Sequence, residues 1–286
     1  MNKNLSQLRN DVNACADYPL PVSRTSGTQG KDRTLSSLIY GPVASTPNPL
    51  VKASGRLGQA LIRLMMRQVS VVAAERLAGR FKLITLEGEP LRGVTWIPGQ
   101  KIQIAMGSAF VARTYTPIEW NASAGRTCIL AFEPGHGPGS DWVRNIEPGG
   151  TCHLFGPRTS LDPRGMNSPV ALFGDETSIG LAYALAQARP GQVTCVLEVD
   201  DVPATRKVLR DLELDHAEVI ARHPEEAHLD AMKSKLPYLL AAGMSFILTG
   251  KSRTVQRLRQ SLKAYGCPST SLLAKAYWAP GKSGLD

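Results

Sequence analysis

The spacing of apolar residues changes near Met166, and this change limits which folds the chain can adopt. From Gln68 to about Gly165, short apolar and β-branched segments alternate with turn residues, which predicts a small antiparallel β-barrel. After Met166, apolar segments alternate with stretches of helical spacing, which predicts a parallel sheet flanked by helices. We therefore expect a barrel with a leading helix over residues 51–165, and an α/β domain over residues 166–286.

The first 50 residues are rich in Asn, Ser, Thr, Pro and Gly and have little periodic apolar pattern. This composition predicts a flexible tail. Between Leu57 and Met65, apolar residues recur at helical spacing with arginines between them, which predicts an amphipathic helix docked on the core.

Composition excludes several classes of protein. Apolar residues make up 43% of the 286 positions, and no apolar run is long enough to cross a bilayer. Met1 to Leu20 lacks the apolar core of a secretory signal. The five cysteines are scattered and form no CxxC pair, which argues against a cysteine-ligated zinc or iron–sulfur centre and predicts a reducing, cytoplasmic setting. They are Cys15, Cys128, Cys152, Cys195 and Cys267.

The formal net charge of +9 is concentrated in part at the carboxyl terminus. From Lys251 to Asp286 there are seven basic residues and one acidic residue. Such a surface attracts nucleic acid, a phosphorylated cofactor or an anionic metal chelate, and charge alone does not choose among them.

The run Arg113-Thr114-Tyr115-Thr116 follows an apolar segment that ends at Met106. On a strand, side chains two residues apart share a face, so Arg113 and Tyr115 point the same way. A cation for phosphate, an aromatic ring for stacking and a hydroxyl together suit a flavin. Taken alone, the run is better explained as an ordinary barrel strand with a surface arginine and a half-buried tyrosine.

Three further stretches are candidates for binding phosphate or nucleotide. Gly137, Gly139 and Ser140, preceded by His136, lead into a short helix-like segment whose free N–H groups suit a diphosphate. Gly174-Asp175-Glu176-Thr177 ends a strand, where Thr177 or Ser178 can cap the next helix and the two acids lie in its first turn. Lys251 and Arg253 follow another strand and suit a ribose phosphate. Plain turns, a well-capped helix and a solvated basic helix are the alternatives.

The order of these parts resembles the ferredoxin–NADP reductase superfamily. Within it, the chain is similar to the siderophore-interacting proteins, which are flavin-dependent ferric-siderophore reductases. The resemblance rests on R-x-Y-T, on His136 to Trp142, on Leu172 to Thr177, and on Ala276-Tyr277-Trp278 followed by Gly281-Lys282. It covers roughly residues 68–286. The chain departs from the family's pattern at Thr114, at Ile118 and at Gly250-Lys251-Ser252.

The resemblance implies an oxidoreductase that binds FAD and takes electrons from NADPH or NADH. The basic residues Lys251, Arg253 and Arg257 could meet a ribose phosphate and slightly favour NADPH, whereas the acids Glu198, Asp200 and Asp201 at the neighbouring strand end favour a free ribose hydroxyl. The flavin would carry the chemistry, so no catalytic side chain and no metal ligand is expected. The substrate would be a ferric siderophore, met by Lys275 and Lys282, and its reduction would release Fe(II) for iron acquisition. We expect a monomer with no nucleic-acid partner and no membrane span. The implied cofactor-binding residues are Arg113, Tyr115, Thr116, His136, Gly137, Gly139, Ser140, Gly174, Asp175, Glu176, Thr177, Lys251, Arg253, Tyr277 and Trp278.

Three other functions stay open on the sequence alone. One is an electron-transfer flavoprotein reductase that serves a protein partner instead of a chelate. Another is a nucleic-acid-binding protein that uses the basic carboxyl-terminal helix. The third is a flavin-free binding protein, because Thr114 and Ile118 depart from the flavin-binding pattern.

Overall fold

The structure is a computed structural model that describes residues 66–106 and 108–282. The predicted tail and the helix expected between Leu57 and Met65 lie outside the described residues. In the described part, seven antiparallel strands form one sheet and five parallel strands form a second. The fold class expected from the sequence is therefore confirmed.

The first sheet is barrel-like. Its hydrogen-bonded order is β4-β3-β7-β1-β2-β6-β5, so β4 and β5 lie at its two edges. Only Thr116 separates these two strands along the chain, so the sheet must curl to bring its edges together. Helix α1, Pro138–Asn145, follows β6. The strands are β1 Arg67–Ala78, β2 Phe81–Glu87, β3 Lys101–Met106, β4 Ser108–Tyr115, β5 Pro117–Asn121, β6 Arg126–Phe132 and β7 Thr151–Arg158.

The second sheet has the order β10-β9-β8-β11-β12. Its central strand β8 is buried along its whole length, as expected where helices cover both faces of a parallel sheet. The strands are β8 Val170–Asp175, β9 Val193–Val199, β10 Glu218–Ala221, β11 Ser245–Lys251 and β12 Leu272–Trp278. The helices are α2 Ile179–Ala188, α3 Val202–Asp211, α4 Ala227–Lys233, α5 Leu236–Ala241 and α6 Ser252–Ala264.

The two domains share an apolar core. Phe81 and Ile118 of the barrel belong to the same buried cluster as Ile179 and Leu181 of α2. At Gly180 the packing is close, because a Cβ there would lie 3.1 Å from Cγ2 of Ile118. Helices α4 to α6 contribute to a separate core on the opposite face of the parallel sheet. The carboxyl ends of β8 and β11 therefore lie beside the barrel strand that carries Arg113 to Thr116.

Three elements differ from the sequence-based expectation. The helix expected around His228–Leu240 is divided into two short helices, α4 and α5. Pro237 lies in the first turn of α5, and because proline has no N–H it cannot continue the hydrogen bonding of α4. Helix α3 was not expected, because few of its residues are apolar. Its start is nevertheless well defined, since the Asp201 carboxylate accepts a hydrogen bond from the N–H of Ala204 at 2.9 Å. Strand β5 was also not expected, because it begins at a proline on the sheet edge.

Candidate functional site

Arg113 and Tyr115 lie near the carboxyl end of β4, two residues apart. The Arg113 guanidinium donates from Nη1 to the carbonyl of Ala112 at 2.9 Å. The side chain is also packed against the start of helix α1. A Cβ on Gly139 would lie 3.0 Å from Cγ and 3.3 Å from Nε of Arg113. A larger residue at position 139 would therefore require the Arg113 side chain to shift.

The amino terminus of α1 has the features of an anion site. Gly137 is the N-cap residue, and no side chain forms a capping hydrogen bond there. Ser140, in the first turn, is buried. Uncapped N–H groups and the helix dipole both favour negative charge, and the Arg113 guanidinium adds a formal cation beside them. These residues fit the phosphate groups of a dinucleotide cofactor such as FAD.

Tyr115 packs against the aromatic ring of Trp142 on α1. Their ring centroids lie 5.8 Å apart. Burial raises the pKa of the Tyr115 phenol, and the nearby Arg113 charge opposes this only in part. The phenol therefore stays neutral, and its ring gives the site a flat apolar wall.

The last strand brings two aromatic residues to the same place. The Tyr277 hydroxyl forms a hydrogen bond with the side chain of Thr116, so β12 touches the end of the R-x-Y-T run. The neighbouring Trp278 donates from Nε1 to Oδ2 of Asp175 at 2.7 Å. Tyr277 thus contacts the barrel, whereas Trp278 contacts the carboxyl end of β8, the first strand of the α/β domain.

Asp175 lies at the carboxyl end of β8 and is fully buried. Its Oδ1 accepts from the N–H of Thr177 at 2.9 Å and from the Thr177 hydroxyl at 2.5 Å. Burial raises the pKa of this carboxyl, while the hydrogen bonds from Thr177 and Trp278 oppose that rise. The capping expected from the sequence was therefore wrong in detail. Asp175 itself caps the turn, and the Ser178 hydroxyl instead accepts from the N–H of Asp175 at 3.2 Å.

Two glycines allow strand ends to meet around Asp175. A Cβ at Gly174 would overlap the side chain of Ser178 and come within 3.2 Å of Oγ1 of Thr249. Gly250 has a φ of 94°, and a Cβ there would overlap the Asp175 carboxylate. The ends of β8 and β11 are thereby drawn together beside the barrel, where a ligand of a parallel sheet is expected.

Residues 168–281 match the family model described as siderophore-interacting protein. This match covers most of the α/β domain. A comparison with curated proteins gives no match.

Solved structures share the fold of both domains. A siderophore utilization protein from T. fusca is 22% identical, with a TM-score of 0.61 over 77% of this chain and 95% of that one. The siderophore-interacting protein SipS from Aeromonas hydrophila is 20% identical, with a TM-score of 0.64 over 76% and 93%. The ferredoxin reductase in carbazole 1,9a-dioxygenase, in its FAD apo form, is 19% identical, with a TM-score of 0.60 over 74% and 67%.

The other residues expected in the site are more dispersed. His136 is exposed on the loop before α1. In the α/β domain, Lys251 ends β11 and Arg253 lies in the first turn of α6, where its Nε lies 3.0 Å from Oε1 of Glu226. Lys275 is half-buried on β12 opposite Thr249, and Lys282 is exposed beyond the strand. The structure brings Arg113, Gly139 and Ser140 together, and joins Thr116 to Tyr277 and Asp175 to Trp278. It does not bring the lysines into one cluster.

A charged network in the α/β domain was not predicted from the sequence. Glu176, expected to lie in a helix turn, accepts from the N–H of Asp200 at 2.7 Å and from Nη2 of Arg222 at 2.8 Å. Burial raises the pKa of Glu176, and the Arg222 charge opposes this. Arg222 directly follows β10, so its place at a strand end was the signal that could have found it.

Glu198 forms the inner part of this network. It accepts from the Thr254 hydroxyl at 2.6 Å and lies 2.7 Å from Nε2 of His228. The Nδ1 of His228 accepts from the N–H of His223 at 2.9 Å, so Nε2 carries the proton and donates to Glu198. No spacing in the sequence indicates these contacts, because they depend on how α4 and α6 pack on the sheet.

A hydrogen bond between the barrel and α2 was also not predicted. Tyr183 donates its hydroxyl to Oε1 of Glu119 on β5 at 2.9 Å, while Oε2 of Glu119 is buried with no partner among the described residues. Burial raises the pKa of Glu119 to about 7, although the Tyr183 hydrogen bond opposes the rise.

The described ranges lack two further features. Within residues 66–106 and 108–282, no group of three or more His, Cys, Asp or Glu side chains is placed to hold a metal ion. No helix in the same ranges is long and apolar enough to cross a membrane.

Proposed function

We propose that this protein is a flavin-dependent reductase that uses a reduced nicotinamide nucleotide to reduce ferric iron in a siderophore. The observation that carries the proposal is the contact between Arg113 and the uncapped start of α1, beside the family-matched domain. Bound FAD would accept a hydride and give up single electrons, a chemistry that side chains do not supply. The protein contributes binding, orientation and charge.

The barrel supplies the flavin-binding residues. Arg113 and the N–H groups at the start of α1 would hold phosphate oxygens by charge-assisted hydrogen bonds. The ring of Tyr115, supported by Trp142, would offer an apolar surface to the isoalloxazine. The ferredoxin reductase in carbazole 1,9a-dioxygenase, which shares the fold and has an FAD apo form, supports the choice of FAD.

The carboxyl edge of the parallel sheet would receive the nicotinamide nucleotide. Ligands of such sheets bind outside the carboxyl ends of the strands. Here Trp278 donates to the buried Asp175 carboxylate, which lies against Gly250, and the neighbouring Tyr277 forms a hydrogen bond with Thr116. These contacts connect the nucleotide edge to the flavin-binding strand, so the two cofactors would meet at the seam between the domains.

A ferric siderophore is the electron acceptor that the comparisons favour. Two structural neighbours are a siderophore utilization protein and a siderophore-interacting protein. Hard oxygen donors hold Fe(II) less tightly than Fe(III), so one-electron reduction would release the metal. No proton transfer from a side chain is needed for that step. Lys275 and Lys282 would attract an anionic chelate.

A protein electron acceptor is the second candidate. It is favoured by the similarity to the ferredoxin reductase in carbazole 1,9a-dioxygenase, which has the same fold. The two functions differ in what reoxidises the reduced flavin. A small ferric chelate suffices for the first, whereas the second requires an added redox protein.

The test begins with FAD binding, measured by fluorescence titration of the purified chain. We expect Arg113→Ala to weaken FAD affinity at least about tenfold, because a charge-assisted contact contributes ~1.5–3 kcal/mol. Arg92→Ala is the matched control, since Arg92 pairs with Glu89 on the surface at 2.8 Å. Equal FAD affinity in Arg113→Ala and Arg92→Ala would contradict the assigned role of Arg113.

The second part follows the two half-reactions by anaerobic stopped-flow absorbance. The FAD-loaded protein should be reduced by NADH or NADPH and then reoxidised by a ferric siderophore. Reduction without reoxidation by any ferric chelate, but with reoxidation by a ferredoxin, would replace the first function by the second.

A further inference from the structure

Asp200 lies between two arginines that come from different domains. Its Oδ1 is 2.5 Å from Nη1 of Arg222, and its Oδ2 is 3.4 Å from Nη2 of Arg80. Arg80 lies in the turn between β1 and β2 of the barrel, whereas Arg222 follows β10. Half of the Asp200 side chain is exposed to solvent, so it is accessible to a ligand.

Arg222 is otherwise directed inward. Its side chain is 13% exposed, and its Nη2 donates to Glu176 and to the carbonyl of Glu198 at 3.2 Å. Burial lowers its pKa, but Glu176 and Glu198 outweigh this and raise the pKa of the guanidinium overall. Arg222 is therefore a permanent cation whose outward nitrogen, Nη1, is occupied by Asp200.

Asp200 lies at the position where dinucleotide-binding folds carry a residue that contacts the ribose. It directly follows β9, the strand beside β8, whose carboxyl end carries Gly174 to Thr177. In dinucleotide-binding folds, an acid near this position accepts a hydrogen bond from the adenosine 2′-hydroxyl. An arginine there accommodates a 2′-phosphate instead.

We infer that Asp200 makes NADH, not NADPH, the electron donor. This inference rests on the proposed function and concerns the same nucleotide edge. The carboxylate can accept from a free 2′-hydroxyl. It also occupies the place between two guanidiniums where a 2′-phosphate would bind, because a guanidinium pairs with carboxylate and phosphate in the same way.

The basic residues near β11 do not reverse this preference. Arg253, on which the expectation of NADPH depended in part, is paired with Glu226 at 3.0 Å. Near Asp200, the buried acids Glu176 and Glu198 also contact the Arg222 guanidinium and offset part of its charge. A phosphate placed beside Asp200 would meet the Asp200 carboxylate directly, at an arginine that three carboxylates already share.

The test compares two fragments of the donors, adenosine 5′-monophosphate and adenosine 2′,5′-bisphosphate. Their binding to the full chain is measured by isothermal titration calorimetry, with and without added FAD. The parent protein should bind the monophosphate about tenfold more tightly. In Asp200→Ser the bisphosphate affinity should rise by about tenfold, because both arginines become available to phosphate.

Asp201→Ser is the matched control. It removes the same charge one residue away, and serine preserves the cap of α3 that Asp201 provides through Ala204. Its two affinities should stay within about twofold of the parent's, since a charge that does not pair with Arg222 contributes little. If Asp200→Ser unfolds, Asp200→Asn keeps the side-chain shape and should show the same change in direction.

Three results would overturn the inference. These are equal affinity of the parent for the bisphosphate and the monophosphate, the same affinity change in Asp201→Ser as in Asp200→Ser, and no binding of either fragment. A failure of the proposed flavin function is distinguished from these, because it shows as the absence of FAD binding while fragment binding is measured without FAD.

Discussion

Trp278 donates a hydrogen bond to Asp175 at 2.7 Å across 103 positions of the chain. Trp278 ends β12 and Asp175 ends β8, and β11 lies between these strands in the sheet. The indole reaches across the end of β11 at Gly250, where any side chain would overlap the carboxylate. One hydrogen bond thus connects the first and last strands of the α/β domain at the edge proposed to bind nucleotide.

We expect Trp278→Phe to lower the free energy of unfolding by ~1–3 kcal/mol, because the buried Asp175 carboxylate loses a donor. Urea denaturation measures the change. Trp120→Phe is a matched control, since the buried Nε1 of Trp120 has no partner among the described residues. If both variants lose the same stability, the loss reflects ring size and the hydrogen bond contributes nothing.

Glu119 should make stability depend on pH. Its pKa is raised to about 7 in the folded protein, above the ordinary value of 4.5, because the carboxyl is buried. The folded state therefore binds the proton more tightly, and this contribution is complete below pH 4.5 and is lost as the pH rises through 7. Across that range we expect a loss of roughly 2–3 kcal/mol.

Urea unfolding of the parent and of Glu119→Gln at several pH values measures this loss. Glu119→Gln keeps an acceptor for the Tyr183 hydroxyl but cannot ionise. Its unfolding free energy should change less between pH 5 and pH 8, by about the same ~2–3 kcal/mol. Identical pH profiles would show that Glu119 titrates normally.

Gly139→Ala should weaken FAD binding without unfolding the protein. The added Cβ would lie 3.0 Å from Cγ of Arg113 and would displace that side chain from the start of α1. Alanine is otherwise favoured in a helix by up to about 1 kcal/mol. We expect a roughly tenfold higher dissociation constant for FAD and an unchanged melting temperature. In Gly165→Ala, where a Cβ meets nothing within 4 Å, both quantities should equal the parent's.

Lys275→Ala combined with Lys282→Ala should slow reoxidation of the reduced flavin by an anionic ferric chelate. At low salt, we expect a reoxidation rate that is roughly tenfold lower, because removing cations mainly lowers the encounter rate. Reduction by nicotinamide should be unchanged, and high salt should remove the difference. Lys207→Ala is the control, since Lys207 is paired with Asp211 on α3 at 2.6 Å. An undiminished rate in the double variant would place the chelate elsewhere.

Local patterns predicted most of the fold and two stretches of sequence that lie together in the barrel. The change in apolar spacing near Met166 separates the two sheets correctly, because each sheet type imposes its own period. The R-x-Y-T run and the loop at Gly139 were found in sequence and lie together. These features depend on residues that are close together in the chain, so they can be recognised from the sequence alone.

The contacts between distant segments were not predictable. Asp200, Arg222 and Arg80 come from three different loops, and nothing in their spacing indicates that they meet. Glu119 was overlooked because a single glutamate on an edge strand is ordinarily solvated. Its burial depends on α2 packing over β5 through Gly180. Packing between elements, and not local propensity, determines these sites.

The most direct test of the central claim is the release of Fe(II) from a ferric siderophore. The FAD-loaded protein is mixed anaerobically with NADH, the ferric siderophore and a chelator that becomes coloured only with Fe(II). We expect colour that develops in proportion to the NADH consumed and that requires protein, FAD and NADH together. A flavin that NADH reduces fully, while neither ferric siderophores nor other ferric chelates yield any Fe(II), would contradict it.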